Sequence, residues 1–368
     1  MNLSILRKNL LPPLQQVVGV IERKQTLPIL SNVLLCLVDG RLYLTGTDLE
    51  LQLVAHATVE SGEPGQITLP ARKFLEIVRL SPDESVLNIN CLDGRAVLSS
   101  STSRYTLGTL PADYFPQFDS GAVDVEFKIP ASLLKKAMDK TIFAMANKDY
   151  RHFLNGLLLY FDGNRIKAVA SDGHRLCYFS EELDNAQAQN SRQIIIPRKG
   201  VTELYRLLGD SEESLSFRVS ANAVQVDMGT VCFSAKLIEG SYPDYQRVIP
   251  KDITHRLMAE RSALKSALTR VAVLSHEKYK GMSLEVAGDE TLCLKAHNPE
   301  HEEAEEKITI ETEGGTFQVV FNFTYLLDAI NNIDSDRVKL SLPSGCSSCL
   351  IEDTQDSRFL FIVMPMRI

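Results

Sequence analysis

The sequence predicts an α+β chain made of three tandem copies of one domain, each with two helices packed on antiparallel strands. Three sets of repeated features carry that prediction. The first is a strand end that runs into a short amphipathic helix. It occurs as LPARKFLEIVRL (69–80), IPRKGVTELYRLL (196–208) and FNFTYLLDAINNI (321–333), with Pro70 and Pro197 127 residues apart and Pro197 and Asn322 125 apart. The second set reads strand, tight turn, strand, polar turn. LVDGRLYLTGTDLE (37–50), YFDGNRIKAVASDGHR (160–175) and EVAGDETLCLKAHNPE (285–300) place Asp48, Asp172 and Asn298 at one equivalent turn. The third set is an apolar helix face in each copy.

Taken in chain order, Leu10, Leu14, Val17, Val18 and Ile21 mark the first such face, where Pro12 and Pro13 are tolerable only near the helix start. The Asp-Gly pair at 39–40 predicts a hairpin, and so does the pair at 162–163. Leu134, Ala137, Met138, Thr141, Ile142 and Met145 predict the helix of the second copy, and Leu264, Ala267, Leu268 and Val271 that of the third. VEFKI (125–129) and SLSFRV (214–219) alternate as half-buried strands do. A period near 125 is far longer than a solenoid repeat, so the expected domains are residues 1–120, 124–249 and 250–368.

Composition narrows the function classes. A chain of 368 residues, 44% hydrophobic and 23% charged, reads as a soluble protein of two or three domains, with no segment apolar enough to span a bilayer and no membrane partner expected. MNLSILRKNLLPPLQQ carries charge where a secretory signal needs an apolar run, and the seven scattered cysteines read as reduced thiols; both predict a cytoplasmic location. The net charge of −8 argues against nucleic acid until it is partitioned: the six predicted helical segments together carry +12, leaving −20 on the rest. If helices face one way and sheets the other, one surface is basic and its reverse acidic. That confines a phosphate backbone to the helical side. No zinc finger, recognition helix or RNA-binding motif is present, so such binding would ignore base sequence.

Several motifs invite chemistry. SDGHRL (171–176) sets Asp172 and His174 two apart, on one face if the segment is a strand, as a proton-transfer pair would be. No GxSxG elbow accompanies it, and the equivalent turns TGTDLE and KAHNPE lack the histidine, so a structural turn is the better reading. HNPEHEEAEE (297–306) lacks the HExxH spacing and reads as a solvated loop; CSSC (346–349) is a lone CxxC. There is no GxxxxGK[ST] loop, and no metal or cofactor is expected.

LPPLQQVVGVIERKQTLPILSN, LTGTDLE, LPARKF, TLPADYFP, RHFLNG, SDGHRL, IPRKGV, SYPDYQRVIP, NPEHEEAEE and VMPMRI together, in this order along the whole chain, resemble the β subunit of bacterial DNA polymerase III, the sliding-clamp family. The resemblance implies three clamp-type domains per chain, two chains closed head to tail into a homodimeric ring, and helices lining the hole. It implies a non-enzymatic processivity factor on double-stranded DNA, with the replicative polymerase, the clamp loader and other clamp-binding-motif proteins as partners. DNA-facing roles are implied for Lys24, Arg72, Lys148, His152, Phe153, Lys199, Tyr279 and Lys280. Ring closure would involve Tyr105 and Leu107 against Val273 and Leu274. A pocket for short linear peptides would use Leu154, Ser171, Gly173, His174, Arg175 and Leu176, with the last histidine and arginine shaping its rim. Pro243, Arg247, Val248, Asn322, Tyr325, Cys346 and Ser348 would add to it, together with the tail Ile362, Val363, Met364, Pro365, Met366 and Arg367. Methionine and aliphatic walls suit leucine or phenylalanine anchors from several ligands. The alternatives from other classes are an enzyme built on Asp172 and His174, and an adaptor that docks proteins without DNA.

Overall fold

A computed structural model describes residues 1–23, 26–92, 94–183, 191–209, 212–288 and 290–366. Six α-helices occur among them: α1 (Arg7–Val18), α2 (Ala71–Leu80), α3 (Ala131–Asp139), α4 (Arg198–Leu207), α5 (Arg261–Val271) and α6 (Phe323–Asn331). The strand-into-helix repeat appears in all three copies. Strands ending at Pro70, Pro197 and Asn322 lead directly into α2, α4 and α6. Proline suits the first two junctions because a helix leaves its first N–H groups without internal partners anyway. At the third, the Asn322 side chain accepts the Thr324 N–H at 3.0 Å.

Two expectations about helices need correction. The first helix begins at Arg7, so Pro12 and Pro13 lie inside it and remove the N–H groups that would bond the Lys8 and Asn9 carbonyls. Packing compensates, because Pro13 is buried in one stripe with Leu10, Leu14, Val17 and Val18. The predicted helix through Met145 stops at Asp139, and a 3-10 turn at Ile142–Ala144 follows. The Thr141 hydroxyl donates back to the Ala137 carbonyl at 2.7 Å, while the Lys140 ammonium reaches Asp334 at 2.9 Å.

The chain divides into two compact units, Met1–Leu133 with Lys199–Leu237, and Leu134–Arg198 with Ile238–Ile368. Each is organised around a large antiparallel sheet that joins two repeats. In the first unit an eight-stranded sheet links four strands of the first repeat to four of the second, through Leu51–Thr58 against Val231–Lys236. The nine-stranded sheet of the second unit links the second repeat to the third, through Arg175–Glu182 against Phe359–Val363. A five-stranded sheet in the first unit ends at the open strand Arg104–Gly108. A four-stranded sheet in the second ends at the open strand Glu303–Thr309.

The three polar turns share one mechanism. The Asp48 carboxylate accepts the N–H groups of Glu50 and Leu51, that of Asp172 accepts those of His174 and Arg175, and the Asn298 amide oxygen accepts those of Glu300 and Glu302. Each turn passes through a left-handed residue: Leu49 at φ 78°, Gly173 at φ 87° and His301 at φ 65°.

Candidate functional site

SDGHRL begins at the end of the strand Arg165–Ser171, turns at Asp172–His174, and enters the strand Arg175–Glu182. Asp172 is consumed by that turn: one oxygen takes the two backbone N–H groups and the other takes Arg175 Nε at 3.1 Å. It accepts the backbone N–H of His174, not the imidazole, so there is no proton-transfer pair. The exposed His174 contributes its carbonyl to the Met364 N–H at 2.8 Å, which ties the C-terminal segment to the turn. Arg175 borders the smaller of two hollows here but is largely enclosed. Its side chain is only 12% exposed, donates to Asp328 and to the Phe143 carbonyl, and stacks its guanidinium 4.5 Å from the Tyr325 ring. It fastens the turn to α6 and to the 3-10 turn after α3.

Two hollows flank the C-terminal segment here. The smaller, about 180 Å³, is walled by Phe153, Leu154, Leu176, Pro243, Val248 and Met364, with Ser171, Gly173 and Arg175 also at its edge. Beneath it lies a core cluster in which Leu176 and Ile362 pack with Tyr245 and Leu350. Burial pushes the Tyr245 phenol up to about 12 and the Tyr242 phenol further still, so both are neutral in this apolar setting. The larger hollow, about 910 Å³, is lined by Gly173, His174, Asn322, Tyr325 and Cys346, and by the tail residues Met364, Pro365 and Met366. Met364 walls both. Burial raises the Cys346 thiol, which therefore stays protonated at neutral pH.

The remaining expected pocket residues fall elsewhere. Ile362 and Val363 belong to a strand paired on both sides and are buried, and Ser348 is buried as well, so all three support the floor and do not line it. The Arg247 side chain is 85% exposed and pairs with Asp244 at 2.9 Å, beside the smaller hollow. Arg367 lies outside the described residues. The sequence reading missed Arg151, whose guanidinium binds Asp149 at 2.9 Å and reaches the Asp172 carbonyl at 3.3 Å, and Tyr242, whose ring meets that of Phe153 edge-on at 6.4 Å. Both stand next to residues already singled out, in RHFLNG and SYPDY, but nothing in their spacing marks which way they point.

Among the expected DNA-facing residues, Lys24 lies outside the described residues. Arg72 is exposed and donates to the Ile21 carbonyl at 2.7 Å. Lys148, at φ 61°, and His152 are exposed on a loop that also presents Tyr150, 84% exposed. Phe153 departs from expectation: it turns inward as a wall of the smaller hollow, against Tyr242. Lys199 departs too, because its ammonium is engaged by both Glu22 and Asp48. Tyr279 stacks on His276 with ring centroids 4.6 Å apart, and Lys280 is exposed at φ 53°. Much of the helical positive charge is thus matched locally, as in Lys140–Asp334 and Arg270–Glu306. Of the expected closure residues, Tyr105 is exposed and Leu107 half-buried on the open strand Arg104–Gly108; Val273 is 78% exposed just after α5, with Leu274 half-buried beside it.

Among the described residues no group of three or more His, Cys, Asp or Glu side chains is placed to hold a metal ion. No helix among them is long and apolar enough to cross a membrane.

Comparison with known proteins accounts for the whole chain. Family models of the DNA polymerase III beta subunit match it in three consecutive parts: the N-terminal domain at residues 1–119, the central domain at 128–244 and the C-terminal domain at 246–367. The chain belongs to the DNA polymerase III β-subunit family. The beta sliding clamp of Pseudomonas putida is 41% identical over 369 residues, and that of Escherichia coli K12 is 40% identical, with all of each chain covered. The crystal structure of the DNA polymerase III subunit beta from Pseudomonas aeruginosa superposes with a TM-score of 0.97 at 40% identity, again over the full length of both chains. The β-subunit fold explains the triplication: three clamp domains in tandem, each contributing two helices and two half-sheets.

Proposed function

We propose that this β-subunit family member works as a DNA sliding clamp: a non-catalytic, cytoplasmic processivity factor, dimeric and ring-shaped, that encircles duplex DNA without reading its sequence. It holds the replicative polymerase, the clamp loader and other partners through the peptide pocket beside SDGHRL. The observation that carries the ring is a repeated seam. In each unit the strand after the polar turn, Leu51–Thr58 or Arg175–Glu182, pairs with the last strand of the next repeat's second half-sheet, Val231–Lys236 or Phe359–Val363. The same rule applied once more leaves two unpaired partners, Glu303–Thr309 in the third repeat and Arg104–Gly108 in the first. An open edge is a liability until it is paired. Pairing these two between copies, with Tyr105 and Leu107 meeting Val273 and Leu274, closes two chains head to tail.

The domains are residues 1–120, 124–249 and 250–368. The DNA-facing set is Lys24, Arg72, Lys148, His152, Phe153, Lys199, Tyr279 and Lys280, of which Phe153 acts through the loop it anchors and Lys199 through the ion pairs it makes. Scattered cationic contacts suit sliding, because weak and interchangeable phosphate contacts have no register to break. The pocket is the expected set: Leu154, Ser171, Gly173, His174, Arg175, Leu176, Pro243, Arg247, Val248, Asn322, Tyr325, Cys346, Ser348 and the tail from Ile362 to Arg367, with Ser348, Ile362 and Val363 acting from beneath. Its smaller hollow takes an apolar anchor, and the larger takes the rest of the peptide.

The test is topological. Protein loaded on nicked circular DNA by a clamp loader is expected to remain until the DNA is linearised and then to run off the ends. Retention on linear DNA would rule out encirclement. A species of about 41 kDa in gel filtration at micromolar concentration would rule out the dimer.

A further inference from the structure

Past Met366 the same face continues into a third hollow of about 620 Å³. Its floor is the face of the four-stranded sheet turned away from the buried Met282, Leu284 and Leu294, so Ser283, Lys295, Gln318 and Val320 project into it by strand alternation. Tyr279, stacked on His276, forms one wall. Met366 forms another and is held there by its backbone N–H, which donates to the Val320 carbonyl at 2.7 Å. Met366 therefore separates the second hollow from the third, just as Met364 separates the first from the second. The three hollows are consecutive along one stretch of tail.

The ammonium at the third hollow is already matched: Lys295 Nζ lies 2.9 Å from Glu285 and 3.7 Å from Glu305. A carboxylate entering there would compete with those acids, whereas Val320, Met366 and the Tyr279 ring offer apolar contact. We propose that the third hollow receives the residue or two flanking the anchors of a docking peptide, and that it selects an uncharged aliphatic or aromatic side chain. This rests on the pocket reading above. An extended peptide advances about 3.3 Å per residue, so a flank of a few residues spans the step from one side of Met366 to the other.

The experiment uses the full-length dimer and fluorescence anisotropy. The probes are a short synthetic peptide with leucine and phenylalanine anchors, and versions extended at either end by leucine, phenylalanine or aspartate. On the unaltered protein, an apolar extension at one end is expected to tighten binding about tenfold and aspartate to add nothing. Val320→Asp, which makes the floor polar, and Ser283→Tyr, which fills the hollow, are each expected to erase that gain while leaving the short peptide's affinity within about twofold. Using both keeps the test informative if one variant folds poorly. A gain that survives both substitutions, an equal gain from aspartate, or no gain at either end overturns the proposal. Failure of the short peptide to bind the unaltered dimer is a different result: it overturns the docking reading itself and this extension with it.

Discussion

The turn at Asp48 and the turn at Asp172 are the same device put to two uses. Both carboxylates cap two backbone N–H groups, both turns pass through a left-handed second residue, and both receive a backbone N–H from the neighbouring repeat. Lys236 donates to the Glu50 carbonyl in one and Met364 to the His174 carbonyl in the other. The difference lies in what surrounds them. The free oxygen of Asp48 is taken by Lys199 from α4, so the first turn is sealed by an ion pair. At the second, Asp172 pairs with its own Arg175, the left-handed residue is glycine, and the space beside it opens between Tyr242, Pro243 and Met364. A repeated turn is thus scaffold, and a site appears only where apolar walls, from its own repeat and from the tail of the next, stand in place of a cation.

The contrast can be broken at its strongest point first. Deleting residues 364–368 takes the shared wall from both hollows, and peptide binding is expected to vanish in a titration while gel filtration still shows a dimer. Next is Gly173→Val. At φ 87° a β-branched residue is strained, and its Cβ would lie 2.6 Å from the Arg151 guanidinium. A local penalty of about 3 kcal/mol, or roughly a hundredfold loss of peptide affinity, is expected. The matching change in the first turn, Leu49→Gly, relieves left-handed strain. It is expected to raise the melting temperature slightly, by about 1 kcal/mol of stability at most, with no effect on peptide binding.

Arg175→Ala removes the fastening between the turn, Asp328 and Tyr325. It is expected to weaken peptide binding about tenfold, and Arg175→Lys is expected to rescue it poorly because an ammonium cannot span three partners in a plane. The smallest effect is a titration. The Arg151 guanidinium and backbone N–H hold the Asp149 carboxyl down at about 2. A depressed acid contributes its stabilisation above the ordinary carboxylate range and loses it as pH falls through the folded value. The 149–155 loop is therefore expected to loosen only between about pH 4 and pH 2. In Arg151→Ala the Asp149 carboxyl, followed by NMR, is expected to titrate close to its ordinary value.

Much of the fold is legible in the sequence. Local signals with a mechanism survived: Asp39–Gly40 turns a hairpin, Pro70 and Pro197 precede helices, and the three Asx turns cap as their side chains demand. The errors fell where packing competes with local preference. Pro12 and Pro13 sit mid-helix because burial of Pro13 and its neighbours outweighs two missing hydrogen bonds. The helix expected to run through Met145 ends at Asp139, where the Thr141 N–H turns to the Met138 carbonyl and Lys140 reaches Asp334, 194 residues away in sequence. Arg175 lines the hollow yet is more enclosed than a rim residue need be, because Asp328 lies 153 residues away in sequence and next to it in space.

The sequence by itself determined the triplication, the order of elements in each copy, the cap chemistry of the turns and the segregation of charge between helices and the rest. These depend on neighbours within a few residues or on a repeat visible at a fixed period. Only the tertiary structure decided which turn becomes a hollow, that Phe153 faces inward, that Lys199 is held by Asp48, and which half-sheets join across repeats while Arg104–Gly108 and Glu303–Thr309 stay at sheet edges. Those outcomes depend on pairings between residues far apart in the chain, from Phe153 with Tyr242 to Gly173 with Met364. Their energies come from the surfaces that meet, and a one-dimensional pattern carries no record of which surfaces do.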